Sequence, residues 1–593
     1  MTYCLINLIA VVGLNCYSGN SGILSFGHVG FMGLGAYVAA LFTIPIAIRR
    51  TALPHLPAVI AQTQLDLPTA LVIALVVVGV LAALSGLAIA RLGGASASIS
   101  TLGVLVIAQG LLVGAVDLTR GSQGLYGVPR QVGVLVAAAA AVLAVVLARL
   151  YRDSHACLAL RAAREDEAAA AAVGVNIWAS RLIAWLLSAM LAATAGVLFA
   201  HTLSAFAPAS FYFSYTFLLL VMLIVGGKGT VTGAVAGTLL VTALVEVLRR
   251  IEETHQIGSV HLPDIYGLQT VGLGAAVLFT LYLRPAGLFA FYEIDGLVKL
   301  RMPSVARSDI DAPVTRASDN QGEAVDRGKA VDSGTLEVVR VTKRFGGLVA
   351  NDEVSFTLRI GEIVGLIGPN GAGKTSLVNV ISGLMHAESG HVLVDGEDMI
   401  DWPASRLARQ GVARTFQNIR LFGNLTVLEN VIVAMASSGR GGDRSISIES
   451  QARAFLAEFG LIAHADRMAK TLAYGIQRRL EIARAVSMRP RYLLLDEPAA
   501  GMNQIESDAL VRDLSDLRAR YRIGMLVIDH DLRLIMRLCD RVVVLNKGQV
   551  IAAGIPAEVQ ANPEVIEAYL GRRSQRRLDR GLAGIRTTGD LRC

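Results

Sequence analysis

Ile363-Val364-Gly365-Leu366-Ile367 runs directly into Gly368-Pro369-Asn370-Gly371-Ala372-Gly373-Lys374-Thr375, and Ser376 to Leu384 can wind as a helix behind them. The middle segment reads G-x-x-x-x-G-K-T, a phosphate-binding loop. A short apolar run of the kind that makes a buried parallel strand precedes it. The glycines let the backbone curl until its N–H groups converge on phosphate oxygens. The following helix N-terminus, with Ser376 in its first turn, adds partial positive charge. Lys374 adds a full one, and the Thr375 hydroxyl can hold Mg²⁺. A nucleotide is expected here, with ATP and Mg²⁺ as the bound species.

About 120 residues further on, Tyr492-Leu-Leu-Leu-Asp496-Glu497-Pro498 is an apolar strand that ends in two carboxylates. Phosphoryl transfer needs such a pair: Asp496 to hold the metal through water, Glu497 to orient and deprotonate the attacking water. Between the two motifs stands Gln417, in Arg414-Thr-Phe-Gln417-Asn. After them, Ile528-Asp-His530-Asp closes another apolar strand, placing His530 where it can reach a γ-phosphate. Leu336-Glu-Val-Val-Arg-Val and Val354-Ser-Phe-Thr-Leu suggest strands ahead of the loop, with Phe345 between them.

The rest of the chain is unlike this part. Of 593 residues, 53% are hydrophobic and 17% charged, against about 25% charged in soluble domains. Mean hydropathy is +0.54. Charge is sparse before about residue 295 and abundant after it, so one half suits lipid and the other water. The net charge of +7 fits a solvated, membrane-adjacent surface; much of the Arg lies in the tail and beside apolar runs, so no nucleic-acid partner is expected. Five scattered cysteines (Cys4, Cys16, Cys157, Cys539, Cys593) have no metal-ligand spacing and read as free thiols. The start of the chain lacks a basic n-region and a small-residue cleavage site, so no removable signal peptide is expected.

Apolar runs able to cross about 30 Å of hydrocarbon cover residues 29–48, 68–90, 99–116, 132–148, 182–206, 211–225, 230–248 and 267–283, with 3–17 as a shorter ninth. Gly30, Gly33, Gly35, Gly233 and Gly237 inside them favour close helix packing. Arg49, Arg50, Arg249 and Arg250 obscure the positive-inside signal. The nucleotide half needs cytoplasmic ATP, which puts residue 295 and the 149–181 loop inside; with nine spans the N-terminus is outside, and with eight it is inside. That loop holds Arg161-Ala-Ala-Arg164-Glu165-Asp166-Glu167, an alanine run and Gly174, so a short amphipathic helix with a glycine stop is expected. Glu246, near a helix end, reads as a snorkelling group, and His28 and His201 as packing residues.

Ser21-Gly-Ile-Leu-Ser-Phe-Gly27-His28 with Gly33-Leu-Gly-Ala-Tyr37 resembles the early signature of branched-chain amino acid permeases. Gly121-Ser-Gln-Gly124-Leu-Tyr-Gly127-Val-Pro129, Arg164-Glu-Asp-Glu, Gly226-Gly-Lys-Gly229-Thr and Arg284-Pro-Ala-Gly287-Leu-Phe follow in that family's order. The family's larger permease usually carries more residues before this signature. In the second half, the phosphate loop, Gln417, Leu472-Ala473-Tyr474-Gly475-Ile476, Asp496-Glu497 and His530 follow the order of an ABC ATPase. This resemblance implies that Gln417 is the Q-loop glutamine and a metal ligand with Thr375 and Asp496. It also implies that Phe345 stacks on adenine, His530 is the switch histidine, and Leu472–Ile476 is the signature serving a partner's ATP. Ala473, Ile476 and Asn503 depart from the commoner Ser, Gln and Asp; the Ala-Tyr-Gly signature is similar to that of the branched-chain subfamily. Pro563-Glu-Val-Ile-Glu-Ala-Tyr-Leu-Gly resembles its C-terminal stretch.

The expected architecture is an α-helical polytopic membrane domain of eight or nine spans over 1–295, a flexible linker over 296–334, an α/β P-loop NTPase domain of the ABC type over 335–572, and a basic tail over 573–593. The resemblance implies an ATP-driven importer of branched-chain amino acids in the cytoplasmic (inner) membrane. Its partners would be a second permease subunit, a second ATP-binding subunit and an extracytoplasmic amino-acid-binding protein. An importer of urea or short amides, an exporter, and a non-hydrolysing nucleotide-gated scaffold are the alternatives.

Overall fold

The computed structural model describes residues 1–253, 256–257, 260–261, 267–289, 293, 334–440 and 446–570. Apart from Gly334, the expected linker lies outside the described residues, as does the expected tail. The chain divides into two compact units: Met1–Arg164 with Ile177–Ser318, and Glu165–Asn176 with Asp319–Cys593.

In the first unit, seven helices are long and apolar enough to cross a bilayer: Thr2–Gly19, Leu67–Ile89, Gly94–Gly114, Val134–Arg152, Ile177–Leu203, Pro208–Gly226 and Val231–Glu252. An eighth counts only if His28–Thr43 and Ile46–Ala52, which meet at 119°, form one span. Of the eight or nine spans expected, seven or eight are therefore found among the described residues. Two causes are visible. Pro45 drives Ile44 out of the helical region (ψ 132°) and breaks the run expected over 29–48. The run expected over 267–283 becomes helix Leu268–Leu283, whose 16 residues are short of a span.

Packing explains the small residues. A Cβ on Gly196 would lie 1.8 Å from the Met32 carbonyl oxygen, and one on Gly237 2.0 Å from that of Met222. Only glycine lets these helix pairs close. Helix Leu67–Ile89 buries Ala70, Ala74, Val78, Ala82 and Gly86, one strip at four-residue spacing. Its other faces expose Val72, Val76, Val80 and Leu84, as a helix bathed in hydrocarbon does.

The awkward Arg49 is 1% exposed. Its guanidinium donates to the carbonyls of Ile44 (2.6 Å), Phe42 (3.2 Å), Ile60 (2.5 Å) and Thr63 (2.7 Å), satisfying the helix end that Pro45 breaks. It serves the fold and does not report topology. Glu246 lies in intrahelical ion pairs with Arg249 (2.9 Å) and Arg250 (3.0 Å). His28 and His201 are interior: His28 Nδ1 lies 2.7 Å from Ser25 Oγ, and His201 Nε2 2.9 Å from Thr43 Oγ1.

The second unit has a six-stranded sheet in the order Val412–Arg414, Tyr492–Asp496, Gly524–Ile528, Ile363–Ile367, Arg541–Asn546, Gln549–Gly554. The first five strands are parallel and the last antiparallel. Ile363–Ile367, Tyr492–Asp496 and Gly524–Ile528 are buried throughout, as strands covered on both faces must be. A four-stranded antiparallel sheet, ordered Leu348–Arg359, Thr335–Phe345, Ser389–Val394, Glu397–Asp398, forms the other layer. A separate helical cluster gathers Val427, Val431, Leu456 and Leu480.

Within this unit the expected amphipathic segment forms helix Glu167–Ala172, capped by Asp166, which accepts from the Ala169 N–H. Gly174 (φ +89°) turns the chain where a side chain would meet the Ser437 carbonyl at 2.9 Å. The helix packs on Ala404–Arg409.

Candidate active site

Parallel strands aim their carboxyl ends at one edge, where α/β sheets bind ligands. Ile363–Ile367 delivers the phosphate loop there, Tyr492–Asp496 the two acids, and Gly524–Ile528, between them, Asp529 and His530. Gly368 and His530 are 162 positions apart in sequence (530 − 368) yet follow neighbouring strands.

The loop itself is tightly drawn. Gly373 (φ +101°) leaves 2.1 Å between a built Cβ and the Ala350 oxygen, so no other residue fits. Asn351 donates to the Gly373 carbonyl at 3.1 Å. Lys374 opens helix Lys374–Ile381 and folds its Nζ back onto the carbonyls of Gly368 (2.7 Å) and Pro369 (3.1 Å). Burial pulls the Lys374 ammonium below the ordinary lysine range, opposed by the carboxylates of Glu497 and Asp496.

The Gln417 amide donates to the Glu497 carboxylate at 3.0 Å. His530 Nδ1 lies 3.8 Å from the same oxygen and 3.7 Å from Asp529 Oδ1, on an exposed ring. Asp496 is buried and accepts from Arg414 Nη2 at 3.1 Å. Arg414 also donates to Asn379 Oδ1 (2.5 Å), on the helix behind the phosphate loop, and to Ser382 Oγ (2.9 Å), just past its end. This guanidinium ties the two motifs together. Reading motif by motif passed over it, although it stands three residues before Gln417.

The donor set fits Mg²⁺: a hydroxyl (Thr375), a carboxylate (Asp496) and an amide oxygen (Gln417) are hard oxygen ligands. No group of three His, Cys, Asp or Glu side chains among the described residues forms a separate metal site.

Two expected parts of the site stand elsewhere. Phe345, half exposed, ends strand Thr335–Phe345 in the other sheet, with Lys343 Nζ 5.3 Å from its ring centroid. Leu472 and Ala473 lead into helix Tyr474–Ser487, whose first residues are Tyr474 and Gly475. There Tyr474 Oη donates to the Ala500 carbonyl at 3.2 Å, and a cavity of about 800 Å³ opens among Ala473, Tyr474, Gly475, Gly501 and Met502. Ile476 packs against the helical cluster. Asn503 caps helix Gln504–Tyr521, accepting from the Glu506 N–H at 3.0 Å. Asparagine caps as well as aspartate does, so this departure leaves the local fold intact.

Residues 351–500 match the family model described as ABC transporter. Residues 1–257 match that of the permease component of branched-chain amino acid transport systems. Residues 549–574 match that of the branched-chain amino acid ATP-binding cassette transporter. The chain is 43% identical over 250 residues to the high-affinity branched-chain amino acid transport ATP-binding protein BraF of Pseudomonas aeruginosa, covering 40% of this chain and 97% of that protein. It is 42% identical over 248 residues to LivG of Escherichia coli, of the same description, again covering 40% and 97%. The lipopolysaccharide export system ATP-binding protein LptB of Haemophilus influenzae is 35% identical over 236 residues, with the same two coverages. A permease-type half and an ATP-hydrolysing cassette thus share one polypeptide, and the chain belongs to the branched-chain amino acid ABC transporter family.

Proposed function

We propose that this chain is the permease and ATPase, joined end to end, of an importer of branched-chain, neutral aliphatic amino acids. The observation that carries the reading is the double match: a branched-chain permease model over residues 1–257 and 43% identity to BraF in the cassette. It sits in the cytoplasmic (inner) membrane with the cassette in the cytoplasm. A second permease subunit, a second ATP-binding subunit and an extracytoplasmic amino-acid-binding protein complete the machine.

In this reading ATP lies on the loop Gly368–Ser376, with Phe345 against adenine and the Leu472–Gly475 segment serving the partner cassette's ATP. Thr375, Asp496 and Gln417 would hold Mg²⁺, which would offset charge on the phosphate oxygens. Lys374 leaves its own loop carbonyls for the phosphates. Glu497 takes a proton from the attacking water, and His530 reaches the γ-phosphate. Glu165–Asn176 groups with the cassette unit although the chain enters it from the permease half. Its Asp166 accepts from Arg420 at 3.2 Å and its Glu165 from Asn424 at 2.8 Å, both just beyond Gln417. Movement at Gln417 is thereby delivered to a segment continuous with the permease.

The test is to purify the tagged chain from membranes with whatever accompanies it and to measure which solutes stimulate its ATPase. Leucine, isoleucine or valine presented by a binding protein is expected to stimulate it. Stimulation by urea or short amides alone would overturn the cargo assignment.

A further inference from the structure

The pair Arg478 and Glu481 lies where the cassette's separate parts meet. Nη1 of Arg478 is 2.6 Å from Glu481 Oε2, with side chains 1% and 0% exposed. Arg478 also donates to the carbonyls of Phe416 (2.7 Å), Asp496 (3.0 Å), Glu497 (2.6 Å) and Pro498 (3.2 Å). Glu481 accepts from the N–H groups of Phe416 and Arg420, both at 3.3 Å. One buried ion pair therefore holds two backbone segments: 416–420, which carries Gln417, and 496–498, which carries Glu497.

Stability alone is a poor reason for such a pair. Burying two charges costs about as much as their attraction returns, and apolar residues often do as well. Geometry gives a better one. A guanidinium presents five N–H donors in a rigid plane, and here it spans three consecutive carbonyls. The middle residue, Glu497, has φ +46°, a left-handed conformation that side chains other than glycine adopt at a cost. Its N–H donates to the Ile528 carbonyl at 2.8 Å, and its own carbonyl is the one Arg478 grips at 2.6 Å. The strained backbone is thus clamped from both sides.

We propose that Arg478, oriented by Glu481, is a positioning residue for Glu497. It keeps that residue's backbone in the left-handed turn that aims the carboxylate, and it couples that aim to the 416–420 segment. Arg478 and Tyr474 lie on one helix, and Tyr474 is tied to Ala500. The stretch from Asp496 to Ala500 is therefore fixed along its length to the signature helix. The inference rests on Glu497 being the general base.

The experiment uses the full chain with its co-purifying subunits. The variants are Arg478→Lys, the double variant Arg478→Met with Glu481→Leu, and Glu497→Gln. Each is assayed for kcat and KM of ATP hydrolysis, Kd for a fluorescent ATP analogue, and unfolding temperature. Lysine keeps a charge for Glu481 but lacks the planar fork; the double change removes both charges and strands neither. Both are expected to lower kcat about tenfold or more, while Kd and unfolding temperature stay near the parent's. A folded variant with parental kcat would overturn the proposal. So would losses in which Kd and unfolding temperature move together with kcat, the mark of a merely structural role. Parental turnover by Glu497→Gln would instead overturn the reading of Glu497 itself, whatever the Arg478 variants do.

Discussion

Gln417 Nε2 donates to Oε2 of Glu497 at 3.0 Å, across two strands that lie side by side in the sheet. The carboxylate proposed to take the proton is thus held by the residue whose loop continues to Arg420 and Asn424.

Glu497→Gln keeps the shape of this contact but removes the proposed base. Turnover is expected to fall by about 10²–10⁴, while ATP-analogue affinity stays close to the parent's. Phosphate release and equilibrium binding on the same preparation check it.

Arg414 and Asp496 form the second buried pair, with side chains 4% and 3% exposed. Arg414→Ala strands a buried carboxylate and leaves Asn379 and Ser382 without their donor. A destabilisation of about 3–5 kcal/mol is expected. Differential scanning fluorimetry should show the cassette unfolding about 10 °C lower.

Asp166 has two tasks: its carboxylate faces Arg420 at 3.2 Å and caps helix Glu167–Ala172. Asn keeps the cap and drops the charge, so Asp166→Asn separates them. The half-exposed pair is worth about 1 kcal/mol at most, so folding should hardly change. Transport per ATP hydrolysed should fall several-fold, read as a ratio of uptake to phosphate release in vesicles.

Two glycines in the membrane unit make opposite predictions. A Cβ on Gly196 would stand 1.8 Å from the Met32 oxygen, whereas one on Gly79 meets nothing within 4 Å. Gly196→Val should abolish monodisperse material in detergent size-exclusion. Gly79→Ala should be neutral or raise stability, by up to about 1 kcal/mol of helix propensity.

Legibility in the sequence followed locality. The phosphate loop and Asp496-Glu497 are short motifs whose residue types are dictated by phosphate and metal chemistry, so they stood out before any fold. Arg414, Arg478 and Glu481 act on partners up to 82 positions away, and a one-dimensional pattern carries no sign of that. Hydrophobicity found the spans. It missed the break at Pro45 because Ile44 and Ile46 keep the run apolar on both sides of it. Arg49 misled the orientation count for a related reason: residue type reports charge, but only three-dimensional packing reveals that four carbonyls enclose it. Ile476 departs from the commoner Gln of the signature, and the apolar neighbours it packs against are visible only in the fold.

We propose that hydrolysis at Glu497 drives solute through the membrane half of the same chain. Sealed vesicles carrying the chain and its co-purifying subunits, loaded with Mg-ATP on the cassette side, test it by uptake of labelled leucine delivered by a binding protein. Concentrative uptake that needs ATP and disappears in Glu497→Gln is expected. Uptake that persists without ATP, or in the Glu497→Gln chain at the parental rate, would contradict it.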